Sequence, residues 1–425
     1  MKILLLSIGS RGDVEPFIAI GQILQKKGHE IICSFPEQFR DLVAIEGWDF
    51  FSLGSEFLAL LDSDDGKIVV GGCKSHWKKI LAFIRLTKVS MPMQKILLER
   101  QQTIVSEGHF DRIIFHPKAV YPLIWSLKHK RKATLIVPVP YLHSVKDHPY
   151  LGIKKNFGQF INGLTYSIAN FGFALMLKKC LKWLKIDRRY SLKTLLNHFL
   201  ETKTIYTISP SLFKRPDYWP QNLQVFGFNE KKSNGNCSPY QKEIDCFITK
   251  HKKVLFITFG SMTNIDPLKN TELILEICQK QKIPALINTG KGGLKKPLSY
   301  DKNLFLFVPS SLDKEVFPKV HGVMHHGGSG TTHMGLRHGC STLIIPHIVD
   351  QFSWNDLVYK LGVGPKGVPI DKISMNLLEP KILDLWKNPL YKEEAEKIAK
   401  AMKKEDYQES LCQMILNDRV VLPEK

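Results

Sequence analysis

The chain contains the same strand-and-loop pattern twice. Ile3–Ser10 reads ILLLSIGS and Val254–Ser261 reads VLFITFGS, so the two segments align without a gap. Continuous apolar runs of this kind are typical of strands that are buried on both faces of a parallel sheet. A helix and another strand are expected after each of them, which makes the β-α-β unit of a doubly wound sheet. The repeat therefore predicts an α/β protein with two facing Rossmann-like domains.

The length of 425 residues suits two or three domains of ordinary size. We predict an N-terminal domain over residues 1–228 and a C-terminal domain over residues 250–390. The polar, turn-rich stretch EKKSNGNCSPY at Glu230–Tyr240 predicts a linker over residues 229–249. Residues 391–425 are predicted to form a Lys/Glu-rich helical tail that could pack back on the N-terminal domain.

The net charge of +20 limits the class of partner. A basic surface attracts nucleic acid, phosphorylated ligands or an anionic membrane. The sequence has no zinc-finger spacing and no aromatic motif of the RNA-recognition type, so we expect no nucleic-acid partner.

The cysteines and the first residues bear on the compartment. The eight cysteines are scattered singly without a CxxC pair, which is typical of free thiols in a reducing compartment. The apolar run at Ile3–Leu6 is too short for a secretory signal. We therefore expect a cytoplasmic protein, in which the tripeptide Arg11-Gly12-Asp13 has no use as an adhesion signal.

The uncharged stretch Phe157–Leu177 is long enough to cross a bilayer, but polar residues interrupt it. Its apolar residues fall on one helical stripe, which predicts an amphipathic helix. We favour a helix whose stripe packs on a domain core. The basic residues that follow between Lys178 and Arg189 leave peripheral contact with an anionic membrane as the alternative.

The densest cluster of polar and glycine residues is HHGGSGTT at His325–Thr332. Glycines allow the backbone to approach a ligand closely, and the helix that follows presents unpaired N–H groups. This combination predicts an anion site suited to phosphate, to which His326 could donate. A plain strand–turn–helix junction would explain one or two of the glycines but not the whole cluster.

Four other motifs do not predict a nucleotide or metal site. The spacing of Gly9 and Gly12 is not that of a dinucleotide fingerprint, and Thr289–Lys296 lacks the spacing of a P-loop. The acidic pair of Asp62-Ser63-Asp64 is most simply a polar loop. Six histidines lie between His321 and His347, but they lack a metalloprotease pattern, so we expect no metal.

Asp13 follows the first strand, at the edge where open α/β sheets bind ligands. A helix N-cap role and a catalytic role are equally compatible with this position on the residues alone.

Four segments together resemble the family-1 glycosyltransferases, in particular the branch of the sterol glucosyltransferases and of the bacterial enzymes that glycosylate glycopeptide antibiotics. They are GSRGDVEP at Gly9–Pro16, HHGGSGTTHMGLRHGC at His325–Cys340, IIPHIVDQFSWN at Ile344–Asn355 and LGVGP at Leu361–Pro365. The resemblance implies a GT-B fold, with the nucleotide sugar held mainly by the C-terminal domain and the acceptor by the N-terminal one.

The resemblance also implies roles for individual residues. It makes Asp13 the general base, and no metal or other cofactor is implied, since the UDP-sugar is a co-substrate. Asp350 and Gln351 would bind the sugar hydroxyls, and Val308 would meet the base, typically uracil. The diphosphate would be bound by a further set: Arg11, Ser261, His326, Gly328, Ser329, Gly330 and Thr331.

The expected activity is inverting transfer of a hexose, with glucose as the expected sugar, from a UDP-sugar to a hydroxyl of a hydrophobic small-molecule or lipid-like acceptor. Two alternatives remain open. One is a nucleotide-sugar epimerase or hydrolase of the same fold, and the other is a non-catalytic protein that binds a nucleotide sugar.

Overall fold

The computed structural model describes residues 1–56, 59, 63–70, 76–153, 155–186, 190–231, 239–309 and 313–418. The chain divides into two compact units. The first comprises Met1–Leu60, Thr87–Lys232 and Asp406–Lys425, and the second comprises Leu61–Leu86 and Ser233–Glu405.

The first unit contains a seven-stranded parallel sheet in the order β3-β2-β1-β4-β5-β6-β7. Strand β1 is buried on both faces, as its unbroken apolar sequence predicts. The strands are β1 (Lys2–Leu6), β2 (Glu30–Phe35), β3 (Asp49–Ser52), β4 (Arg112–Phe115), β5 (Ala133–Val137), β6 (Lys203–Tyr206) and β7 (Leu223–Val225).

The second unit contains a five-stranded parallel sheet in the order β10-β9-β8-β11-β12. Its buried core joins the sheet to the helices on its faces, for example through Ile257, Ile277 and Leu378. The strands are β8 (Leu255–Thr258), β9 (Ala285–Asn288), β10 (Phe305–Val308), β11 (Gly322–His325) and β12 (Ser341–Ile344).

Fifteen helices lie within the described ranges, together with short 3-10 segments at Glu37–Phe39, Phe317–Lys319 and Ile370–Lys372. In chain order they are α1 (Arg11–Lys26), α2 (Arg40–Ala44), α3 (Asp64–Val70), α4 (His76–Gly108), α5 (Tyr121–Ser126), α6 (Gln159–Trp183), α7 (Leu192–Glu201), α8 (Gln241–His251), α9 (Pro267–Lys280), α10 (Asp313–Val316), α11 (Ser329–Arg337), α12 (Val349–Lys360), α13 (Met375–Lys387), α14 (Pro389–Met402) and α15 (Gln408–Leu416).

The strand orders confirm the predicted α/β class with two Rossmann-like sheets. Each sheet reverses its order beside its first strand, between β1 and β4 and between β8 and β11. The register sets Leu6 beside Phe115 in the first sheet and Thr258 beside His325 in the second. Open α/β sheets bind ligands outside the carboxyl ends of the strands at such a reversal. In each unit the loops that follow these two strands are therefore brought together.

The end of the chain does not form one tail from residue 391. Helix α14 belongs to the second unit and contacts α11, whereas α15 belongs to the first unit. Buried Lys203 donates from Nζ to the carbonyl oxygens of Met414 at 2.9 Å and Asn417 at 3.0 Å, and Leu411 is fully buried in the core of the first unit. The predicted linker also differs from the structure, because residues from Gln241 onward form α8, and its residues 232–238 lie outside the described ranges.

The apolar stripe of α6 faces outward, so the favoured prediction that it packs on a domain core is wrong. Phe160 is 87% exposed and Ile168 is 64% exposed. The opposite side of the helix is the buried one, and it includes Asn162 and Tyr166. Their polar atoms are bonded locally, because the Tyr166 hydroxyl donates to the backbone carbonyl of Pro149 and the Asn162 amide donates to the Asn156 side chain. The stripe is thus apolar surface left uncovered.

Candidate active site

Asp13 lies in the first turn of α1, directly after β1. Its Oδ2 accepts hydrogen bonds from the Ser10 backbone N–H at 2.7 Å and from the Ser10 hydroxyl at 3.2 Å. The Asp13 N–H donates to the Ser10 carbonyl at 2.9 Å. The carboxylate therefore does cap the start of the helix, as one of the two interpretations of its position requires.

Two residues that follow β4 also reach the Asp13 carboxylate. Lys118 Nζ lies 3.1 Å from Oδ2, and His116 Nε2 lies 3.2 Å from Oδ1. Capping uses only Oδ2, so a cap alone does not account for the donor on Oδ1 or for the cation. The Asp13 side chain remains 19% exposed, which leaves it accessible to a small group. Asp13 is both a cap and the centre of a charged cluster.

The hydrogen bonds of buried His116 define its tautomer. The Lys118 backbone N–H points at His116 Nδ1 at a distance of 3.3 Å, so Nδ1 acts as the acceptor. The proton of the neutral ring is then on Nε2, where it donates to Asp13. Burial lowers the pKa of His116, and the opposing attraction of Asp13 does not reverse this shift. His116 is a neutral donor that fixes the orientation of the Asp13 carboxylate.

The environment of Asp13 keeps it ionised. Burial would raise its pKa, but the charge of Lys118 and the hydrogen bond from His116 outweigh that effect and hold the pKa well below its usual range. The Arg11 guanidinium donates from Nε to Glu15 at 2.7 Å on the exposed side of the helix.

The second unit places the glycine-rich loop at the matching end of its sheet. Gly327 has a φ of +96°, and a Cβ there would lie 2.7 Å from Ile344 Cγ2 and 3.1 Å from Gln351 Cβ. Gly260, after β8, has a φ of +55° and packs against the imidazole of His326. These two positions require glycine, because a side chain would be strained and would have no room. Helix α11 then begins at Ser329 with Gly328 as its N-cap.

His326 lies between the two glycine loops and is 8% exposed. Burial lowers its pKa well below the usual value, so the ring is neutral. Its Nδ1 is buried and makes no hydrogen bond to any described residue. A neutral imidazole carries one N–H group and one acceptor nitrogen. His326 can therefore offer a ligand one hydrogen bond but no positive charge.

The other predicted diphosphate residues lie around the start of α11. Ser329, Gly330 and Thr331 are half-buried in its first turn, and the open backbone at Gly330 would leave a Cβ with no atom within 4 Å. The first N–H groups of a helix have no partner within it and attract an anion. Ser261 is half-buried after β8.

The predicted sugar-binding residues are at the start of α12. Asp350 is half-buried there. Gln351 is 4% exposed, and its Oε1 accepts from the backbone N–H groups of His347 at 2.7 Å and Ile348 at 3.2 Å. Its Nε2 lies 3.4 Å from Met262 Sδ. The carboxamide of Gln351 is thus engaged in supporting its own loop.

Val308, predicted to meet the base, is the last residue of β10 and is fully buried. Pro309 after it is exposed, and residues 310–312 lie outside the described ranges.

No group of three or more possible metal ligands occurs among the described residues, which include the histidines between His321 and His347. Asp62 of the acidic motif lies outside those residues.

Sequence reasoning missed His116 and Lys118. The signal was available in RIIFHPK at Arg112–Lys118, an apolar strand that opens into a His-Pro-Lys loop. It is informative only once the strand order is known, because β4 adjoins β1 while Lys118 lies 105 residues from Asp13 in the sequence.

Residues 3–110 match the glycosyltransferase family 28 N-terminal domain, and residues 305–415 match the C-terminal domain of the erythromycin biosynthesis protein CIII-like family. The chain is similar over 97% of its length to a glycotransferase of kitacinnamycin, with a TM-score of 0.69, 13% identity and 97% of that chain covered. The calicheamicin glycosyltransferase CalG4 gives a TM-score of 0.65 at 14% identity, with 97% of each chain covered. The fold is that of the GT-B glycosyltransferases.

Sequence relatives of this GT-B chain carry a narrower name. A sterol 3-beta-glucosyltransferase of Arabidopsis thaliana is 29% identical over 96% of this chain, and a sterol 3-beta-glucosyltransferase of Saccharomyces cerevisiae is 26% identical over 97% of it. This chain spans 64% of the length of the plant protein and 35% of the length of the yeast protein. The resemblance predicted from the four sequence segments is confirmed.

Proposed function

We propose that this chain transfers a hexose, with glucose as the expected sugar, from a UDP-sugar to a hydroxyl of a sterol-like or other lipid-like acceptor, with inversion at the sugar carbon. The observation that carries the proposal is the carboxylate of Asp13, which accepts hydrogen bonds from Ser10, His116 and Lys118 in the first turn of α1, in a chain similar along almost all of its length to sterol 3-beta-glucosyltransferases.

The donor half of the proposal is supported by the glycine loop of the second unit. The N-terminus of α11, the open backbone at Gly330 and the neutral His326 supply donors without a side chain in the way. Such preorganised donors stabilise the charge that develops on a leaving diphosphate. The glycosyltransferase VinC, whose structure was solved in complex with dTDP, is a structural neighbour of this chain with a TM-score of 0.64 and 12% identity. The same electrostatic role is why we propose that transfer needs no metal.

In the proposed reaction, the acceptor oxygen attacks the anomeric carbon from the side opposite the diphosphate. The carbon–oxygen bond to the diphosphate breaks, and UDP leaves with the electron pair. Asp13 takes the acceptor proton. The donors that keep Asp13 ionised also make it a weak base, so proton transfer must be concerted with attack on an oxocarbenium-like carbon, where the hydroxyl has become acidic. A positioned base of this kind contributes about 10²–10⁴-fold.

The test is to incubate the full chain with UDP-glucose and a set of sterols and lipid alcohols. We expect a product heavier than the acceptor by one hexose, with the anomeric configuration opposite to that of the donor. Failure to obtain product with any nucleotide sugar would overturn the proposal. Binding without turnover would favour a nucleotide-sugar sensor, and turnover of the donor without an acceptor would favour an epimerase or hydrolase.

The same assay tests whether transfer needs a metal ion. We expect the rate of hexose transfer to be unchanged by EDTA. A loss of rate that an added divalent cation reverses would show that transfer does need a metal ion.

The cytoplasmic location stays a prediction. The six described cysteines are all free thiols.

A further inference from the structure

We propose that the outward face of α6 is a membrane-docking surface that lies flat in the interface of an anionic bilayer. We call this set the docking face, and its members share an exposed apolar side chain: Phe157, Phe160, Ile161, Leu164, Ile168, Phe171 and Leu175. The structural argument for the docking face is independent of the proposed function. Only the reason for docking rests on that function, since a lipid-like acceptor would be taken from the bilayer.

The spacing of these residues makes one continuous strip. Phe157 lies just before the helix, and the members from Phe160 to Leu175 follow one another at one, three or four residues, which places them on one side of α6. Each is at least 45% exposed, and Phe160 is 87% exposed. At 1.5 Å per residue, the strip from Phe160 to Leu175 is about 22 Å long. A contiguous apolar strip of this size is unusual on a soluble surface and marks an interaction site.

The charges around the docking face select a lipid surface over an apolar protein partner. From Pro149 to Ile186 the sequence contains six lysines and no aspartate or glutamate. Lys155 lies at one end of the face, with its Nζ 5.6 Å from the Phe157 ring centre. Lys178, Lys179 and Lys182 lie exposed at the other end. Anionic headgroups attract such lysines, while the apolar strip enters the acyl boundary.

Length and composition alone would allow α6 to cross a membrane, since Gln159–Trp183 is long and apolar enough. Its inward face argues against crossing. Asn162 and Tyr166 are buried and hydrogen-bonded to the loop that precedes the helix, and α6 packs along α7. A spanning helix would have to give up these contacts and expose its polar groups to hydrocarbon, which is costly. A helix that lies in the interface keeps them.

The test measures co-sedimentation of the full chain with vesicles, in the absence of any sugar donor. One vesicle is phosphatidylcholine alone, and the other is phosphatidylcholine mixed with phosphatidylserine. We expect the chain to bind the mixed vesicles more tightly. The double variant Phe160→Ser/Ile168→Ser should reduce that binding by about tenfold or more, because two apolar side chains no longer enter the boundary.

The matched control is Ile45→Ser/Phe51→Ser, which removes one exposed Ile and one exposed Phe from elsewhere on the first unit. It should bind vesicles as the unaltered chain does. A second pair tests charge: Lys178→Gln/Lys182→Gln should weaken binding to the mixed vesicles by about fivefold per lysine, and Lys128→Gln/Lys130→Gln should not. Circular dichroism checks that each variant is folded.

Equal binding by the docking-face variant and its control would overturn the proposal. So would a dimer in sedimentation equilibrium that Phe160→Ser/Ile168→Ser dissociates without any vesicle binding by the unaltered chain, since the face would then bind a second copy. Hexose transfer to a water-soluble acceptor is measured separately. Vesicle binding without transfer contradicts only the proposed function, and transfer without vesicle binding contradicts only the docking face.

Discussion

Asp13 is an acid whose two oxygens face different partners. Oδ2 accepts from Ser10 and Lys118, and Oδ1 accepts from the neutral ring of His116. The helix cap and the charge cluster can be separated experimentally, because asparagine keeps an oxygen for the Ser10 N–H but cannot take a proton at neutral pH.

We expect Asp13→Asn to lower the rate of hexose transfer by about 10²–10⁴-fold. The free energy of unfolding should fall by about 1–3 kcal/mol, because the amide oxygen still caps α1 but the amide NH2 group then faces the N–H donor of buried His116. Transfer is measured under single-turnover conditions, with Asp41→Asn on the exposed surface of α2 as the control. A folded Asp13→Asn protein with full activity would exclude Asp13 as the base.

We expect Lys118 to determine the pH below which Asp13 is protonated and hexose transfer slows. Its charge lowers the pKa of Asp13, so removing it should raise that pKa. Since a protonated Asp13 cannot act as base, Lys118→Gln should move the acid limb of the transfer rate to higher pH. The exposed residue Lys130 gives the control, Lys130→Gln. An acid limb that stays in place would show that Lys118 does not control the protonation of Asp13.

The sequence could predict Asp13 but not its partners. A residue just after an apolar first strand is placed at the ligand-binding edge by local pattern alone. His116 and Lys118 reach the same edge only because β4 pairs with β1, and pairing between distant strands is not written in either local segment. Resemblance also could not show that the Gln351 carboxamide is used within its own loop.

At the scale of the element, the glycine loop before α11 combines two different requirements. Gly327 needs a left-handed φ and tight packing against Ile344 and Gln351. Gly330 needs neither, and the space above it is open. Gly327 is required for the conformation of the loop, and Gly330 leaves the backbone at the start of α11 accessible to a ligand.

Gly327→Ala should therefore lower the free energy of unfolding by about 1–3 kcal/mol, through backbone strain and overpacking. Gly330→Ala should leave stability unchanged or slightly improved, but it should weaken binding of UDP, because its methyl occupies the proposed diphosphate position. Chemical unfolding and calorimetric titration of UDP measure the two effects. Equal loss of stability in both variants would contradict this division.

The positions of β1 and β8 were predictable, while the covered side of α6 was not. Both strands fall in the apolar runs from which they were predicted, because a run of this kind defines a strand locally. An amphipathic period likewise predicts the stripe of α6, but periodicity says only that one side is apolar. Whether neighbours cover that side depends on tertiary packing, and here they cover the other one.

At the scale of the whole molecule, buried histidines make stability depend on pH. Burial lowers the pKa of His325 to about 3 and those of His333 and His347 to about 4, against an ordinary value of 6.5. Below pH 6.5 the unfolded chain takes up protons that the native state does not. The free energy of unfolding should therefore fall as the pH is lowered from about 6.5 towards about 4.

One residue of this set allows a specific test. His325 Nδ1 accepts from the Gly327 N–H at 3.0 Å, and the side-chain oxygen of asparagine can take that hydrogen bond. His325→Asn should reduce the acid dependence by up to about 1.4 kcal/mol per pH unit. Chemical unfolding at pH 7, 6 and 5 measures the slope. Slopes that match those of the unaltered chain would show that His325 is not responsible.

Helix α15 contributes to the stability of the first unit. Leu411 is fully buried in its core beside Cys412, Met414 and Ile415. We expect Leu411→Ala to lower the free energy of unfolding of the first unit by about 2–5 kcal/mol. Leu390→Ala, at a position 60% exposed on α14, should change it by no more than about 0.5 kcal/mol. Calorimetry of the two variants tests this, and a similar small effect in both would contradict it.

The place of α15 in the chain has a consequence for biosynthesis. The strands β1–β7 leave the ribosome long before residues 406–425 do, yet the core of their unit includes side chains of α15. Buried Lys203 and Arg112 also need carbonyl oxygens from the end of that helix. The unit that contains β1–β7 therefore cannot complete its core until residues 406–425 have been translated, although residues 233–405 are made earlier. During that interval its sheet is complete in strands but lacks the helix that covers part of its core.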